Sequence, residues 1–198
     1  MIYKVKFLDG TTKLFDTLVE RDLKGADFRG EDLSGVNFAG SDCTGASFSD
    51  ANCTGANFYE ANCTVADFRD ANCTDANFHK ANCTRANFHG ANCTDASFIE
   101  ANCTGASFRE TNCTWADFKN TILIGTDFDY SSWPLWCGSL HVKADKYLAC
   151  QILYHALSVI QGCEDEEAQS ILQIDQVVKF ANQCHRANEC GIIKKKEY

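Results

Sequence analysis

The chain lacks the features of a membrane or secreted protein. No stretch approaches the ~20 consecutive apolar residues that a spanning helix needs. The first residues, Met1-Ile2-Tyr3-Lys4-Val5-Lys6-Phe7, alternate apolar and charged side chains. They form neither the continuous apolar run nor the small-residue cleavage site of a secretory signal. The expected location is therefore the cytoplasm, with no membrane partner. Proline occurs once in 198 residues, so there is no proline-rich spacer. With 45% apolar and 12% aromatic residues, the composition is not that of a disordered chain. No pair of cysteines has the CxxC spacing of a zinc site, and none of the five histidines sits in a recognisable triad or metal motif.

What the chain has in excess is cysteine. Thirteen would suggest a disulfide scaffold in a small secreted domain. Here the number is odd and the spacing is regular. Cys43, Cys53, Cys63, Cys73, Cys83, Cys93, Cys103 and Cys113 recur every ten residues. Repeat geometry explains this better than redox pairing.

The cysteines belong to a shorter period. From Leu23 to Phe128 a large apolar residue or a cysteine stands at every fifth position, giving 22 pentapeptides. Two residues before most anchors sits a small residue, usually alanine, and between them Asn, Asp or Ser almost throughout. Threonine follows each of these cysteines. A period of five fits neither a helix nor a strand. The units Ala-Asn-Cys-Thr-Gly and Ala-Asn-Phe-Tyr-Glu resemble the A(D/N)LXX motif of the pentapeptide-repeat family, over about residues 21–130. That resemblance implies an all-β solenoid, a right-handed quadrilateral β-helix with four pentapeptides per coil.

On that fold, residues 20 apart share a column, and coils stack at strand spacing of ~4.8 Å. Five and a half coils then make a rod of roughly 25 Å. Phe28, Phe48, Phe68, Phe88, Phe108 and Phe128 are expected to form one ring ladder, and Phe38, Phe58, Phe78, Phe98 and Phe118 the opposite one. Cysteines line the other two faces, as small apolar filling rather than redox or metal chemistry. Asn52, Asn62, Asn72, Asn82, Asn92 and Asn102 are expected to form amide ladders.

The chain divides into an N-terminal β cap (1–20), the β-helix (21–130) and a C-terminal segment (131–198). Residues 2–16 read as a hairpin around Asp9-Gly10. Beyond an aromatic loop at 131–138, two helical patterns cover about 144–161 and 164–188 and suggest an α-helical hairpin. This pair either caps the open coil or forms a homodimer interface. The tail, with its Trp-Pro-Leu-Trp-Cys-Gly-Ser-Leu and His-Arg-Ala-Asn-Glu-Cys-Gly segments, resembles that of family members in bacterial and phage genomes. Cys137, His141, Cys150, His155, Cys163, Cys184, His185 and Cys190 match no standard zinc spacing. No cofactor is expected.

A filled square rod offers no concave catalytic site, so the expectation is a non-enzymatic structural or protein-interaction scaffold. The alternative follows from the resemblance, because some family members are acidic, DNA-like inhibitors of gyrase. Net charge is −9, and residues 1–130 hold 11 basic and 19 acidic side chains. Such a surface disfavours direct nucleic-acid binding. The candidate interaction surface comprises Asp50, Asp70 and Glu110 in one column, interrupted by Gly90, and Asp75 and Asp95 in a second. Arg29, Arg69, His89 and Arg109 stand in the adjoining column and are expected to pair with those acids. Tyr59, Ile99 and Trp115 are expected to be exposed anchors for a protein partner, a topoisomerase in the alternative reading.

Overall fold

The computed structural model describes residues 3–128 except Asp9. The aromatic loop, the two helical patterns, the tail cysteines and histidines, and the proposed homodimer segment lie outside the described residues. Among the described residues, no helix is long and apolar enough to cross a membrane.

The pentapeptide track closes a coil every 20 residues. Parallel bridges join each residue before an anchor to its counterpart one coil on, from Asp22↔Asp42 through Asn62↔Asn82 to Ser107↔Asp127. Within one pentapeptide every backbone N–H has a partner. The anchor Cys43 N–H donates to the Asn62 carbonyl of the following coil, and Gly45 N–H to Thr64. Ala46 N–H closes a turn on the Cys43 carbonyl, while Asn62 N–H reaches back to Ser41. The remaining donor, Thr64 N–H, is taken by the Asn62 side chain at 3.2 Å. The Asn/Asp/Ser preference thus serves the turn as well as the ladder, because it satisfies the one amide that the coil leaves without a backbone acceptor.

Of the amide ladders expected at Asn52 to Asn102, Asn82 Nδ2 reaches Asn62 Oδ1 at 3.4 Å, whereas Asn72 and Asn92 Nδ2 donate to Thr54 and Thr74 Oγ1 instead. The direct ladder runs in the column of Asn37, Asn57 and Asn77. Asn57 Nδ2 donates to Asn37 Oδ1 at 3.1 Å, and Asn77 Nδ2 to Asn57 Oδ1 at 3.1 Å. On the cysteine faces threonine joins in. Thr64 Oγ1 donates to Asn62 Oδ1 at 2.6 Å and accepts from Asn82 Nδ2 at 3.0 Å. Where Ser or Thr replaces the small alanine, its buried hydroxyl donates to a carbonyl of the neighbouring coil, as Thr111 does to Phe88 at 2.6 Å.

Inside, phenylalanines of one column stack with centroids 4.7 to 5.0 Å apart. The two columns also meet each other, edge to face, at 5.2 to 5.8 Å. The rings therefore fill the middle of the square as a herringbone, an arrangement favoured by the ring quadrupole. Cys43 through Cys113 are fully buried and unbridged. Leu23 and Leu123 close one cysteine column at its two ends, and Leu33 heads the other.

The expected hairpin is present. Strands β1 (Tyr3–Phe7) and β2 (Thr12–Phe15) pair antiparallel, and β1 also pairs with β3 (Ala26–Asp27) of the first coil. Val5 and Leu18 are buried beneath it. It covers only part of the first coil, as the exposed residues at 30–37 show.

Candidate interaction surface

Corners of the coil fall at every fifth residue, each in the left-handed region. Glycine takes this backbone easily, but thirteen other residues adopt it too, with φ between 54° and 61°. Every acidic residue of the candidate surface is one of them: Asp50, Asp70, Asp75, Asp95 and Glu110. Sequence reading identified these columns without recognising their conformation. The signal was available in the glycines at positions such as 25, 45, 55 and 105.

The two acidic columns stand on the two edges of one cysteine face. Each coil crosses it in six residues: 50–55, 70–75, 90–95 and 110–115. Asp50, Asp70 and Glu110 mark one edge, and Asp75, Asp95 and Trp115 the other. Glu31 and Asp32 extend the face into the first coil, and no Lys or Arg stands anywhere on it. The opposite cysteine face differs. It carries Glu60, Lys80, Arg85 and Glu100, with Lys80 Nζ 3.9 Å from Glu60 and Lys24 Nζ 3.1 Å from Asp42.

The expected pairing of the arginine column with these acids is only partly seen. Arg29 and Arg69 turn to the neighbouring face, where Asp27 and Asp67 bind them at 2.7 Å. Aspartate two residues upstream offers a planar carboxylate matched to the guanidinium fork. The arginine holds the Asp27 carboxyl below its usual range, mainly by side-chain hydrogen bonding. Arg109 approaches Glu110 at 4.0 Å. Asp50, Asp70, Asp75 and Asp95 make no ion pair among the described residues. Gly90 is more than a gap in the column, since a β-carbon there would collide with the Asp70 carboxylate.

Two of the expected apolar anchors are not fully exposed. Tyr59 and Ile99 are half-buried, in one column with His79. The edge of the His79 ring meets Tyr59 at 5.5 Å, and Lys80 Nζ lies 5.9 Å from the Tyr59 ring centre. Side chains one coil apart cover each other, so an outward position is not a fully solvated one. His79 is likewise half-buried, with Nε2 3.9 Å from Glu100. Trp115 does stand out, at 61% exposure, and Val65 is 55% exposed.

Trp115 and Val65 hold φ of 61° and 57°. For side chains of this bulk or branching the left-handed region costs about 1–2 kcal/mol, only part of which glycine's greater unfolded-state entropy cancels. Trp115→Gly and Val65→Gly are therefore expected to raise stability slightly, by roughly 0.5–1 kcal/mol. Urea titrations check this, and a loss of stability in both variants would show that the side chains have packing partners.

This geometry is that of a known repeat. The family model for pentapeptide repeats matches residues 22–52, 46–82, 66–101, 76–112 and 86–125, together more than half of the chain. The chain belongs to the pentapeptide-repeat family. Pentapeptide-repeat proteins form right-handed β-helices. Similar solved structures include HetL, a pentapeptide-repeat protein involved in heterocyst differentiation regulation in the cyanobacterium Nostoc sp. strain PCC 7120. HetL is 20% identical over 65% of this chain, with a TM-score of 0.45, and this chain spans 61% of HetL. A pentapeptide-repeat protein of the Arabidopsis thaliana thylakoid lumen is 30% identical over 52% of this chain and 69% of its own, with a TM-score of 0.38. Trypsin-treated QnrB1, a plasmid-mediated fluoroquinolone resistance protein, is 19% identical over 65% of this chain and 90% of its own, with a TM-score of 0.35. No curated protein matches the chain.

Proposed function

We propose that this pentapeptide-repeat protein is a non-enzymatic interaction scaffold of the cytoplasm, and that it engages a positively charged protein through the acidic cysteine face. The observation that supports this is the single sign of that face. Asp50, Asp70, Asp75, Asp95 and Glu110 are exposed along both of its edges, with Trp115 beside them. Such a surface steers a cationic partner by its field, and an exposed tryptophan supplies an apolar anchor. The filled interior serves stacking: its cysteines are buried and unbridged, and its buried threonine hydroxyls donate to carbonyls of the neighbouring coil.

A second reading, DNA mimicry toward a type II topoisomerase, draws on the same face. Its carboxylates repeat along the coil axis, more sparsely than the one charge per ~1.7 Å of duplex DNA. A gyrase supercoiling assay separates the two, run with the native protein and with a variant neutralised at Asp50, Asp70, Asp75, Asp95 and Glu110. Under the scaffold reading neither inhibits, and a cationic protein captured by the native chain is lost by the variant. Inhibition by the native chain alone would establish mimicry. A partner bound equally by both would remove the acidic face from the function.

A further inference from the structure

The N-terminal end of the solenoid holds a second surface of different construction. In the body of the coil, Asn52 and Asn57 donate their N–H groups to Glu31 and Val36 of the preceding coil. The carbonyls of Asn52, Thr54 and Asn57 accept from Leu33, Gly35 and Phe38. By the same rule Asp32 and Asn37 would donate to, and Asp32, Ser34 and Asn37 accept from, a coil preceding the first. Among the described residues no such coil is present. Residues 12–15, which would occupy that level, leave the track to pair with β1. Among the described residues none of these five backbone groups has a hydrogen-bonding partner. A row of open donors and acceptors at strand spacing is a template for another strand.

Beside this row lies a cavity of about 340 Å³ whose lining includes the apolar Leu18, Phe28, Leu33 and Val36 and the charged Lys6, Asp27, Glu31 and Asp32. Leu33 and Phe28 keep 7% and 5% of their surface exposed, whereas the anchors one coil deeper, Cys53 and Phe48, keep none. The floor is therefore apolar core that is covered less completely here than it is one coil deeper. Glu31 and Asp32 are exposed, and neither makes an ion pair among the described residues.

From this geometry we infer that the open first-coil edge of one face, residues 31–34, binds an extended segment of another protein in which apolar side chains alternate with lysine or arginine. The segment adds one strand to the solenoid. Its backbone N–H groups donate to the Asp32 and Ser34 carbonyls, and a carbonyl of the segment accepts from Asp32 N–H; Asn37 lies past the Gly35 corner and is not engaged. Strand alternation then sets one row of side chains over Leu33 and leaves the cationic row for Glu31 and Asp32. The lining sets three carboxylates, Asp27, Glu31 and Asp32, against one cation, Lys6, and with Asp27 already bound by Arg29 the two remaining acids favour a basic segment. The site adjoins the interaction face proposed above, whose first-coil crossing carries Glu31 and Asp32, but it depends on an open backbone edge and not on the five acidic corners.

The test uses the full chain and a fluorescent alternating Lys–Val heptapeptide, read by anisotropy. Saturable binding is expected, weakened at least tenfold by Glu31→Lys with Asp32→Asn. The same peptide methylated on alternate backbone nitrogens, and a Glu–Val heptapeptide, are expected to bind at least tenfold more weakly. Three results would each overturn the inference: no binding of the Lys–Val peptide, equal binding of the methylated peptide, or equal binding by the Glu31/Asp32 variant with unchanged circular dichroism. The variant neutralised at the five acidic corners keeps the binding. Its loss there would place the peptide on the acidic face instead and would also overturn the inference.

Discussion

Between pH 9 and pH 10.5 the solenoid is expected to unfold cooperatively, while losing little between pH 6 and pH 8. The cause lies in the cysteine columns. The thiols of Cys43 and Cys53 are pushed up by hydrogen bonds to Cys63 and Cys73 of the next coil and then by burial. Burial alone pushes up Cys113. Cys63, Cys73, Cys83 and Cys93 shift the same way. The native state therefore keeps the protons of the six thiols raised furthest, Cys43, Cys53, Cys63, Cys73, Cys83 and Cys113, whereas the unfolded chain releases them above its ordinary cysteine value of about 8.5. A group whose pKa is raised by folding gives its full stabilisation below the unfolded value and loses it as pH climbs toward the folded one. Each such thiol contributes a slope of about 1.4 kcal/mol per pH unit, so six together approach about 8 kcal/mol per unit. A domain stable by about 5–15 kcal/mol cannot survive two units of that slope.

Far-UV circular dichroism against pH, with urea titrations between pH 8 and pH 10, measures the effect. Cys63→Ala with Cys83→Ala should lower stability at neutral pH through lost packing, yet flatten the alkaline slope by about 2.7 kcal/mol per unit. An intact spectrum at pH 10.5, or a slope unchanged in that variant, would mean the columns are open to solvent or to ionisation.

Phe78→Asp is expected to abolish the folded solenoid at neutral pH. Phe78 is fully buried and lies in the middle of its ladder. It stacks on Phe58 and Phe98, each at 4.8 Å, and meets Phe68 and Phe88 edge to face at 5.4 Å. Removing the ring alone, as in Phe78→Ala, should cost about 3–5 kcal/mol. Aspartate adds a carboxylate in a site with no donor, a penalty of several kcal/mol even after the group protonates. In a solenoid each coil is supported only by its neighbours, so a central defect breaks the stack into two short halves. Circular dichroism and thermal melting decide the matter, with the surface change Asp75→Asn as the silent control. A Phe78→Asp protein that melts within a few degrees of the native chain would refute the placement of this ring.

Why the sequence alone reached so far is a matter of local repetition. A side chain's column follows from its number once 20 residues close a coil, and the anchors Leu23 to Phe128 fix the phase. The phenylalanine ladders, the buried cysteines, the amide ladders and the shared column of Asp50, Asp70 and Glu110 all follow from counting. The hairpin at Tyr3–Phe15 was legible from its alternation and its Asp-Gly turn. Arginine pairing was not, because it depends on which of two nearby carboxylates a flexible side chain meets in the better geometry. Arg69 could reach toward Asp70 or Asp67, and the planar approach to Asp67 decides.

The sequence by itself determined the period, the inward set of side chains and the acidic balance, since each is set within five or twenty residues. Tertiary structure alone decided what depends on the shape of the closed coil. It made the two phenylalanine ladders meet edge to face. It set the two acidic columns on the edges of one face, and it half-buried Tyr59 and Ile99 between their neighbours. It also left residues 31–37 without a strand beneath them, because residues 12–15 pair with β1 rather than extend the coil. The physical reason is common to all four: a repeat specifies its own turn, but contacts across the square and at its end depend on where distant turns come to lie.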